Sequence, residues 1–431
     1  MQQKLFSEKE DLQFFGHLVR PDAPLDYVPP VHFPDIFDAK QITIDLETHE
    51  PDQLKNGPAV RTGGEIVGVG ISVDGYCVSP KTRVLLSNLT WITASNLKEG
   101  DELIGFDEES PTKGFRRKLR LTKITSIKKL TQPCVRIVTD RTSVVCSKLH
   151  RWLSLSWKKH SYLWRTAENL EIGYRIGFLA APWYTDADFD AGYLAGIFDG
   201  EGCVQPNTVS FTQNLGETLD RVKRLLKKKC FPFTRTRMQT DKVGVIYLQK
   251  REDNLRFLGS IRPPRLLNNF KERIGEMAAQ GTAKIIAIED VGEQEVLAIG
   301  TETKTFIAEG LLSHNSEYYP VAHVNGPNSN KEHVFDWLQR GLKKFNGELV
   351  GANVVGYDAD YLQHIGIHAP NVRWRDVQWA EALLDEYSVD NGLDALSFRY
   401  LGIGKEVSML EKLYGPEFRK HFREIHPAHG R

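Results

Sequence analysis

The sequence lacks closely spaced cysteine pairs, a surplus of either charge and a long apolar run. None of its five cysteines forms a C-x-x-C motif, which argues against a zinc ribbon and against a secreted disulfide framework. Lysine and arginine number 56, as do aspartate and glutamate, so the net charge is zero and indicates no partner. No stretch approaches the length of a membrane span, and residues 1–15 contain no continuous apolar segment. We therefore expect a soluble protein of a reducing compartment, without a membrane partner.

The most informative feature that is present is a nucleophile at the start of a long segment and a His-Asn dipeptide at its end. Cys77 opens the stretch CVSPKTRVLL, and FIAEGLLSHN ends in His314 and Asn315, immediately before Ser316. The segment from Cys77 to Asn315 has 239 residues and leaves 192 residues outside it. This layout is typical of a segment that excises itself from a host chain, so the sequence predicts two interleaved proteins.

Removal of the segment would rejoin two strands of the host. EIVGVGISVDGY, residues 65–76, and SEYYPVAHV, residues 316–324, each have a strand pattern, and Asp74-Gly75 between them is a hairpin signal. The rest of the host alternates strand and helix patterns, which predicts an α/β domain. The predicted excision would therefore join the two strands into one hairpin. This supports the predicted positions of the junctions independently of the chemistry.

The segment itself changes character along its length. Residues 77–180 and 281–315 have strand patterns with turn punctuation, whereas residues 188–275 alternate helix and strand. The length of 431 residues agrees with several domains. We expect the two strand-rich ends to form one domain and the middle to form another.

The first steps of self-excision have candidate residues. The Cys77 thiol can attack the preceding Tyr76 carbonyl if a nearby acid or imidazole protonates the departing amide nitrogen. His150, in SVVCSKLHRWL, is the candidate for that role. The hydroxyl of Ser316 can then accept the acyl group, which would transfer the N-terminal host segment to the C-terminal one.

Release of the segment requires Asn315 to cyclise onto its own backbone carbonyl, with His314 polarising that carbonyl or donating a proton. Each residue alone has a plainer interpretation. A buried cysteine is usually a small hydrophobe, a single histidine is usually a structural hydrogen-bonding group, and Asn-Ser is usually a turn. Their combination at both ends of one segment, around a rejoined hairpin, favours protein splicing.

These blocks resemble those of inteins, specifically the type found in phage DNA polymerase genes. CVSPKTRVLL resembles the first splicing block, SVVCSKLHRWL the block that holds the assisting histidine, and EVLAIGTETKTFIAEGLLSHN the C-terminal blocks. The resemblance implies an all-β Hint splicing domain that is built from both ends of the segment and uses no cofactor. The catalytic residues that it implies for splicing are Cys77, Ser147, His150, His314, Asn315 and Ser316.

Two positions depart from the intein pattern. Many inteins have threonine three residues before the assisting histidine, and Ser147 keeps a hydroxyl at that place. Many also have aspartate near the start of the penultimate block, where this chain has Ala298. The absence of that carboxylate predicts steps that are slower or differently coupled.

A second motif lies inside the segment. GYLAGIFDGEGCV, residues 192–204, resembles the LAGLIDADG motif of homing endonucleases, in which small residues let two helices pack closely. The resemblance implies an α+β domain in which Glu201 is the catalytic residue and a metal ligand. Asp199 is a structural residue at the helix end and the second candidate ligand for a divalent metal, with Mg²⁺ the first expectation. The plainer alternative is an amphipathic helix that ends in an acidic turn.

The residues after this motif are rich in arginine and lysine, as in RVKRLLKKK at 221–229 and FTRTRMQT at 233–240. The resemblance places such strands in the major groove of double-stranded DNA at a homing site. The basic run alone is more often a solvated helix face. Because the family needs two motifs and one is found, the nuclease would act as a homodimer through this helix, contain a degenerate second motif or be inactive.

The rejoined host resembles the 3′–5′ exonuclease domain that accompanies family A DNA polymerases. TIDLET carries Asp45 and Glu47 on one face of a strand, and GANVVGYDADYL contains Asp358. The resemblance implies a split α/β ribonuclease H-like domain in which these carboxylates bind metal ions and act on a single-stranded DNA 3′ end. The third motif of that family is not found before Arg431, so we expect a truncated host domain whose activity as a fragment stays open.

The prediction is a multidomain chain, namely an intein with an embedded DOD-type homing endonuclease that interrupts an exonuclease domain of a phage-like polymerase. The expected location is the cytoplasm of a bacterial or phage-infected cell. The alternative is a DNA-binding polymerase fragment that neither splices nor cleaves DNA. The predicted boundaries are 1–76 and 316–431 for the two halves of the exonuclease domain, 77–180 and 281–315 for the two parts of the Hint domain, and 181–280 for the endonuclease domain.

Overall fold

The computed structural model of the chain divides into two compact units. The flanking unit consists of Met1–Asp74 and Ser316–Arg431, and the inserted unit is Gly75–Asn315. No helix in the described part of the chain is both long and apolar enough to cross a membrane. The described residues are 29–30, 33, 37, 39–50, 63–73, 76–109, 117–156, 161–205, 208–234, 237–240, 242–248, 250–279, 281–315, 317–387, 390–401, 408–416 and 418–427.

Strands predominate in the inserted unit, and helices are found in both units. The strands are β1 Gln41–His49, β2 Glu65–Val73, β3 Cys77–Val78, β4 Arg83–Leu85, β5 Trp91–Thr93, β6 Glu102–Phe106, β7 Leu119–Thr139, β8 Ser143–Ser147, β9 Arg151–Ser156, β10 Ser161–Thr166, β11 Arg175–Gly177, β12 Gly202–Gln205, β13 Thr208–Asn214, β14 Arg237–Thr240, β15 Val243–Tyr247, β16 Thr282–Thr301, β17 Thr305–Ala308, β18 Leu311–His314, β19 Glu317–Pro320, β20 Glu348–Gly351 and β21 Arg373–Asp376. The α-helices are α1 Phe189–Glu201, α2 Glu217–Lys228, α3 Arg251–Ile261, α4 Pro264–Glu272, α5 Lys331–Lys344, α6 Asp358–His364, α7 Val377–Leu384, α8 Leu393–Leu401 and α9 Ser408–Tyr414. The 3₁₀ helices are Ala94–Asn96, Ala167–Asn169, Ile274–Glu276 and Phe418–Glu424.

A five-stranded sheet forms the centre of the flanking unit, in the order β19-β2-β1-β20-β21. β1 lies antiparallel to β2 and parallel to β20. Alternation along QITIDLETH buries Ile42, Ile44 and Leu46 and leaves Asp45 exposed on the other face. The mixed sheet with helices between its later strands confirms the predicted α/β character of the host.

β2 and β19 pair antiparallel although the whole inserted unit separates them in sequence. Glu317 lies opposite Ile71, and Tyr319 lies opposite Val69. The predicted pairing of these strands is therefore confirmed, while the predicted turn residues between them lie outside the described part of the chain. β19 ends at Pro320, earlier than predicted, because proline has no backbone N–H with which to continue a strand ladder.

Helix α5 shows how local sequence determines an element of the flanking unit. The side chain of Asn330 accepts a hydrogen bond from the His333 backbone N–H and caps the helix N-terminus. Apolar residues recur at the spacing of one helix face, so that Val334, Trp337 and Leu338 are buried.

The inserted unit is built around two long strands. β7 and β16 have 21 and 20 residues and pair antiparallel along most of their length. They belong to a 12-stranded sheet that also contains strands from both ends of the unit. In this sheet β3 pairs with β16 and β8, and β18 pairs with β17 and β9. The first and last strands of the unit therefore belong to one sheet.

The middle of the inserted unit forms a four-stranded sheet, β12-β13-β15-β14, with helices α1 to α4. Asp188 caps α1 by accepting a hydrogen bond from the Ala191 N–H at 2.8 Å. The helix then buries Leu194 and Phe198, which lie one turn apart on the same helix face. This part has the α+β character that the sequence predicts.

The helical part and the large sheet share one hydrophobic cluster. Leu85, Phe106 and Ile307 of the sheet belong to the same cluster as Leu194 and Phe257 of the helices. Because apolar burial is the main driving force of folding, the two parts of the inserted unit stabilise one another.

Candidate active site

Both ends of the inserted unit reach the same short stretch of β16. Cys77 lies opposite Ala298 in the antiparallel pairing of β3 with β16. Asn315 Nδ2 donates hydrogen bonds to the Ile299 carbonyl at 3.0 Å and to Thr301 Oγ1 at 2.9 Å. Residues that are far apart in sequence thus meet in one buried site.

Cys77 is fully buried, and its backbone is held by Ser147. The Cys77 N–H donates to Ser147 Oγ at 3.1 Å, and Ser147 Oγ lies 3.4 Å from the Cys77 carbonyl. Ser147 is the last residue of β8, opposite Cys134 in β7. The hydroxyl that was singled out in the sequence therefore contacts the amide nitrogen that would leave when the Cys77 thiol attacks.

His150 is fully buried between the two ends of the unit. Its Nε2 lies 2.9 Å from Ser313 Oγ, and its ring packs 4.5 Å from that of Trp152. Burial, followed by the charge of His314, lowers the pKa of His150 to about 3, while the Tyr76 backbone acts in the opposite direction. Nδ1 makes no hydrogen bond of regular geometry to another described residue. His150 is therefore neutral at physiological pH. It lies beside the backbone of Tyr76, the residue whose carbonyl Cys77 is predicted to attack.

His314 contacts the backbone carbonyl that precedes Ser316. Its Nδ1 lies 2.5 Å from the Asn315 carbonyl oxygen, and its Nε2 lies 2.9 Å from Glu108 Oε1. Burial is the largest influence on the pKa of His314 and lowers it, the charge of Arg151 lowers it further, and Glu108 raises it. The ring is thus placed where it could polarise or protonate the peptide group that is predicted to break.

Asn315 is held in the same buried site by its backbone and its side chain. Its N–H donates to the Lys304 carbonyl at 2.8 Å. Its Oδ1 is buried and has no hydrogen-bond partner among the described residues. Ser316, the predicted second nucleophile, lies outside the described residues.

Two further residues of the site, Arg151 and Trp164, were not predicted from the sequence. The Arg151 guanidinium lies 5.8 Å from the ring centres of both Tyr76 and Trp164. The Trp164 ring in turn lies 4.5 Å from the ring of His314, edge to face. A buried arginine beside aromatic rings is an unusual arrangement that needs compensation. The only local signal was that Arg151 directly follows His150, in a strand that contains no other charged residue.

Glu108 also escaped the sequence analysis. It lies just after β6 and is buried, although its neighbours in FDEES form a polar run with the pattern of an exposed turn. Arg117 Nε donates to the Glu108 backbone carbonyl at 3.0 Å. No local signal distinguishes Glu108 from its neighbour Glu109, which pairs with Arg117 instead.

The LAGLIDADG residues lie at the C-terminal end of α1. Glu201 is exposed, whereas Asp199 Oδ1 accepts a hydrogen bond from the Arg265 N–H at 2.5 Å. The Arg265 guanidinium donates to the carbonyls of Asp199 and Gly202. Asp199 is thus hydrogen-bonded to the start of α4, whereas Glu201 is the exposed carboxylate at the end of α1, and the roles of both residues stay predictions.

The predicted exonuclease carboxylates lie on β1 and α6 of the flanking unit. Asp358 Oδ1 accepts a hydrogen bond from the Leu46 N–H at 2.8 Å. The pKa of Asp358 is raised to about 7, mainly by burial and also by the charges of Asp45 and Asp376, while the hydrogen bond from Leu46 acts to lower it. Glu47 is partly buried on the same strand as Asp45.

The carboxylates fit a metal only in part. Mutual repulsion between Asp358 and its neighbouring carboxylates is what a bound cation would relieve. However, the described residues contain no group of three or more His, Cys, Asp or Glu side chains arranged to hold a metal ion. The predicted ligands at Glu201 and at Asp45, Glu47 and Asp358 therefore stay predictions.

Comparisons with known proteins agree with several of these features. Residues 188–262 match a family model described as a LAGLIDADG-like domain, which includes the predicted motif. Over 94 residues the chain is 37% identical to a DNA-directed DNA polymerase of Pseudomonas phage M6. That match covers 22% of this chain and 14% of the polymerase, so the chain spans about one seventh of the relative.

The chain is also similar to solved intein structures. A DnaB intein from Synechocystis sp. aligns with 56% of this chain and 97% of its own length, at 10% identity and a TM-score of 0.29. A DnaX mini intein from Spirulina platensis aligns with 56% of this chain and 99% of its own, at 11% identity and a TM-score of 0.27. These scores are too low to assign a function by similarity. Residues 188–262 are thus a LAGLIDADG-like domain, in a chain that is similar to solved inteins and, over 94 residues, to a phage DNA polymerase.

Proposed function

We propose that residues 77–315 form an intein that excises itself and joins Tyr76 to Ser316. The observation that carries this proposal is the buried site in which the two ends of the segment meet. Cys77 lies opposite Ala298, and Asn315 binds the adjacent Ile299 carbonyl. A nucleophile and a cyclising asparagine in one water-excluded site can act in sequence without release of the chain.

The N-terminal step is an attack of the Cys77 thiol on the Tyr76 carbonyl carbon. The C–N bond to Cys77 breaks, a thioester forms, and the proton of the thiol replaces the lost bond at the Cys77 nitrogen. Ser147 orients that nitrogen through its hydrogen bond, and His150 is the imidazole that moves the proton.

The C-terminal steps use the opposite end of the site. The Ser316 hydroxyl oxygen bonds to the acyl carbon as the thioester C–S bond breaks, and the hydroxyl proton passes to the Cys77 sulfur. Asn315 Nδ2 then attacks the Asn315 carbonyl carbon, and the peptide bond to Ser316 breaks as the ring closes. The Ser316 amine that this step frees takes the acyl group from its own side-chain oxygen, which forms the Tyr76–Ser316 peptide bond and restores the hydroxyl. His314, whose Nδ1 faces that carbonyl at 2.5 Å, supplies the proton for the departing nitrogen.

The double variant Cys77→Ala/Asn315→Ala tests this proposal in the intact chain. We expect the parent to lose its 431-residue mass and yield products of 192 and 239 residues, whereas the variant stays intact. Intact mass spectrometry over time identifies both junctions. The matched control is Cys203→Ala, an exposed cysteine of β12, which should splice like the parent. Products of 192 and 239 residues from the double variant would contradict the assigned residues.

We propose as a second function that the LAGLIDADG-like domain cleaves double-stranded DNA as a homodimer through α1. Gly192, Gly196 and Gly200 lie four residues apart on α1, and an added Cβ at each would meet nothing within 4 Å. A second copy packed on this open face would bring a second Glu201 to the helix end. A divalent ion held by these carboxylates would neutralise charge on the phosphate under attack. The exposed lysines of α2 support attraction to DNA.

Glu201→Gln separates the second function from the first. We expect the variant to splice at the parental rate and to lose metal-dependent double-strand cleavage of an intein-free polymerase gene by at least about 100-fold, because a metal ligand is removed. Gel analysis of the DNA measures cutting, and Glu217→Gln on α2 is the control that should cut normally. DNA binding without strand breaks or processing in the parent chain would instead favour the inactive-fragment alternative.

The flanking unit is proposed to be an exonuclease-like domain with a ribonuclease H-like fold. The sheet order β19-β2-β1-β20-β21 and the carboxylates Asp45 and Asp358 on adjacent elements support this proposal. Its expected substrate is a single-stranded DNA 3′ end. Release of 3′ nucleotides by the spliced 192-residue product, lost in Asp45→Asn, would test it.

A further inference from the structure

One carboxylate of the splicing site has no role in the steps above. Glu108 Oε1 lies 2.9 Å from His314 Nε2, and the opposite ring nitrogen, Nδ1, lies 2.5 Å from the Asn315 carbonyl oxygen. His314 is fully buried, and Glu108 is 7% exposed. The three groups therefore form a line from a buried carboxyl group through an imidazole to the peptide bond that must break.

The hydrogen-bonding capacity of this line requires an additional proton. A carbonyl oxygen only accepts hydrogen bonds, and so does an ionised carboxylate. A neutral imidazole carries one N–H and can satisfy only one of these two acceptors. Both contacts are satisfied when the ring is doubly protonated or when the carboxyl group carries the second proton. In either state an N–H of His314 is directed at the Asn315 carbonyl.

The other charged groups around His314 do not favour that proton. Arg151 from β9 and Lys304 from the turn before β17 both act to lower the pKa of His314, as does burial. His150 and Tyr76 face the same site, and neither carries a compensating negative charge at neutral pH. Glu108 acts in the opposite direction. Ala298 supplies no carboxylate on β16.

We propose that Glu108 is a positioning residue for C-terminal cleavage, which holds one additional proton with His314 and keeps an N–H directed at the Asn315 carbonyl. The inference rests on the proposed splicing function. When Asn315 Nδ2 bonds to the carbonyl carbon and the bond to Ser316 breaks, the Nδ1 proton of His314 passes to the departing nitrogen. The proton that Nδ2 loses returns to the Glu108–His314 pair, so the step is balanced.

Glu108→Gln in a Cys77→Ala chain tests the inference, because that chain can undergo only cleavage at Asn315. We expect the release of residues 316–431 to slow roughly 10- to 100-fold. This is at or below the low end of the effect of losing a general acid, about 100- to 10,000-fold, because His314 itself remains. The residual rate should rise toward lower pH, because loss of the Glu108 charge lowers the pKa of His314. Glu109→Gln is the matched control: it removes the adjacent buried carboxylate, which pairs with Arg117, and should cleave like the parent.

A second measurement does not depend on activity. In the inert Cys77→Ala/Asn315→Ala chain, which retains the residue 315 carbonyl, ¹⁵N NMR of the His314 ring reports the protonation of each nitrogen. We expect the ring to bind its additional proton at higher pH in this chain than in the same chain with Glu108→Gln. Equal titration curves or equal cleavage rates for Glu108→Gln and its parent would overturn the inference. Failure of the native chain to splice would overturn the proposed function. The NMR titration would still decide whether Glu108 and His314 share an additional proton.

Discussion

Two buried histidines of the proposed splicing site differ in their surroundings. His150 has a hydroxyl and an aromatic ring as neighbours, and burial holds it neutral. His314 has a carboxyl group on one side and a backbone carbonyl on the other. Burial lowers the pKa of both rings, but only His314 has a neighbouring carboxylate that acts to raise its pKa, which suits His314 better than His150 to donate a proton.

The low pKa of His150 has a consequence for stability. The folded pKa of about 3 lies below the ordinary value of 6.5, so the unfolded chain binds this proton more readily. The free energy of unfolding should therefore fall as the pH decreases from about 6.5 to about 3. We expect this histidine to make the free energy of unfolding about 1–2 kcal/mol lower at pH 5 than at pH 7. Urea unfolding of the Cys77→Ala/Asn315→Ala chain at pH 7 and pH 5 measures it.

The control for this prediction is the same chain with His150→Gln. Since glutamine does not titrate, its stability should depend less on pH over that interval. An identical pH dependence in the two chains would mean that His150 is not buried in its neutral form.

The Ser147 hydroxyl provides a second prediction at this scale. Ser147→Ala removes the acceptor for the Cys77 N–H, and we expect thiol-induced cleavage at Cys77 in an Asn315→Ala chain to slow about fivefold, since a neutral hydrogen bond contributes about 1 kcal/mol. Ser147→Thr keeps the hydroxyl and should cleave at close to the parental rate. Cleavage that is equally fast in the alanine variant would remove Ser147 from the mechanism.

The elements that assemble the site are the long strands β7 and β16. β16 pairs with β3 near its C-terminal end, and its last residues bind Asn315. β7 also pairs with β8, which ends at Ser147. The site is therefore located by strand register, and a shift of one residue would turn these side chains to the other face of the sheet.

Helix α3 provides the prediction at the scale of elements. A Cβ at Gly259 would overlap Trp183 Nε1 and would lie 2.6 Å from the Leu89 carbonyl oxygen. Trp183 Nε1 donates a hydrogen bond to that carbonyl at 3.1 Å, so Gly259→Ala must disturb this contact between the helical part and the large sheet. We expect a loss of about 1–3 kcal/mol in the free energy of unfolding, measured by urea titration of the inert chain.

Gly192→Ala is the matched control at protein concentrations where the chain is monomeric, because it is also a glycine-to-alanine change in a helix and its Cβ would meet nothing within 4 Å in a single chain. That change should stabilise the chain by up to about 1 kcal/mol. Equal effects of the two substitutions would contradict the close approach at Gly259.

At the scale of the whole molecule, the chain consists of two compact units, one inserted into the other. The flanking unit contains strands from both sides of the insertion, paired in one sheet. The inserted unit contains both the large sheet with the proposed splicing site and the LAGLIDADG-like domain, and the sheet and this domain share a hydrophobic cluster. A variant that alters Glu201 tests DNA cleavage, and one that alters Cys77 and Asn315 tests splicing. Substitutions in the shared cluster would affect both through stability.

Sequence alone predicted the segment ends and determined the LAGLIDADG motif and the α/β character of the host, because these features depend on residues that are close together along the chain. The nucleophile, the terminal His-Asn and the alternation in QITIDLETH are examples. Tertiary structure alone decided which groups surround the reacting bonds. Glu108 meets His314 across 206 residues, and Ser147 meets Cys77 across 70. Such contacts are determined by the register of long strands and by burial in a common core, which no local pattern encodes, so Glu108 could not be distinguished from Glu109 before the chain was folded.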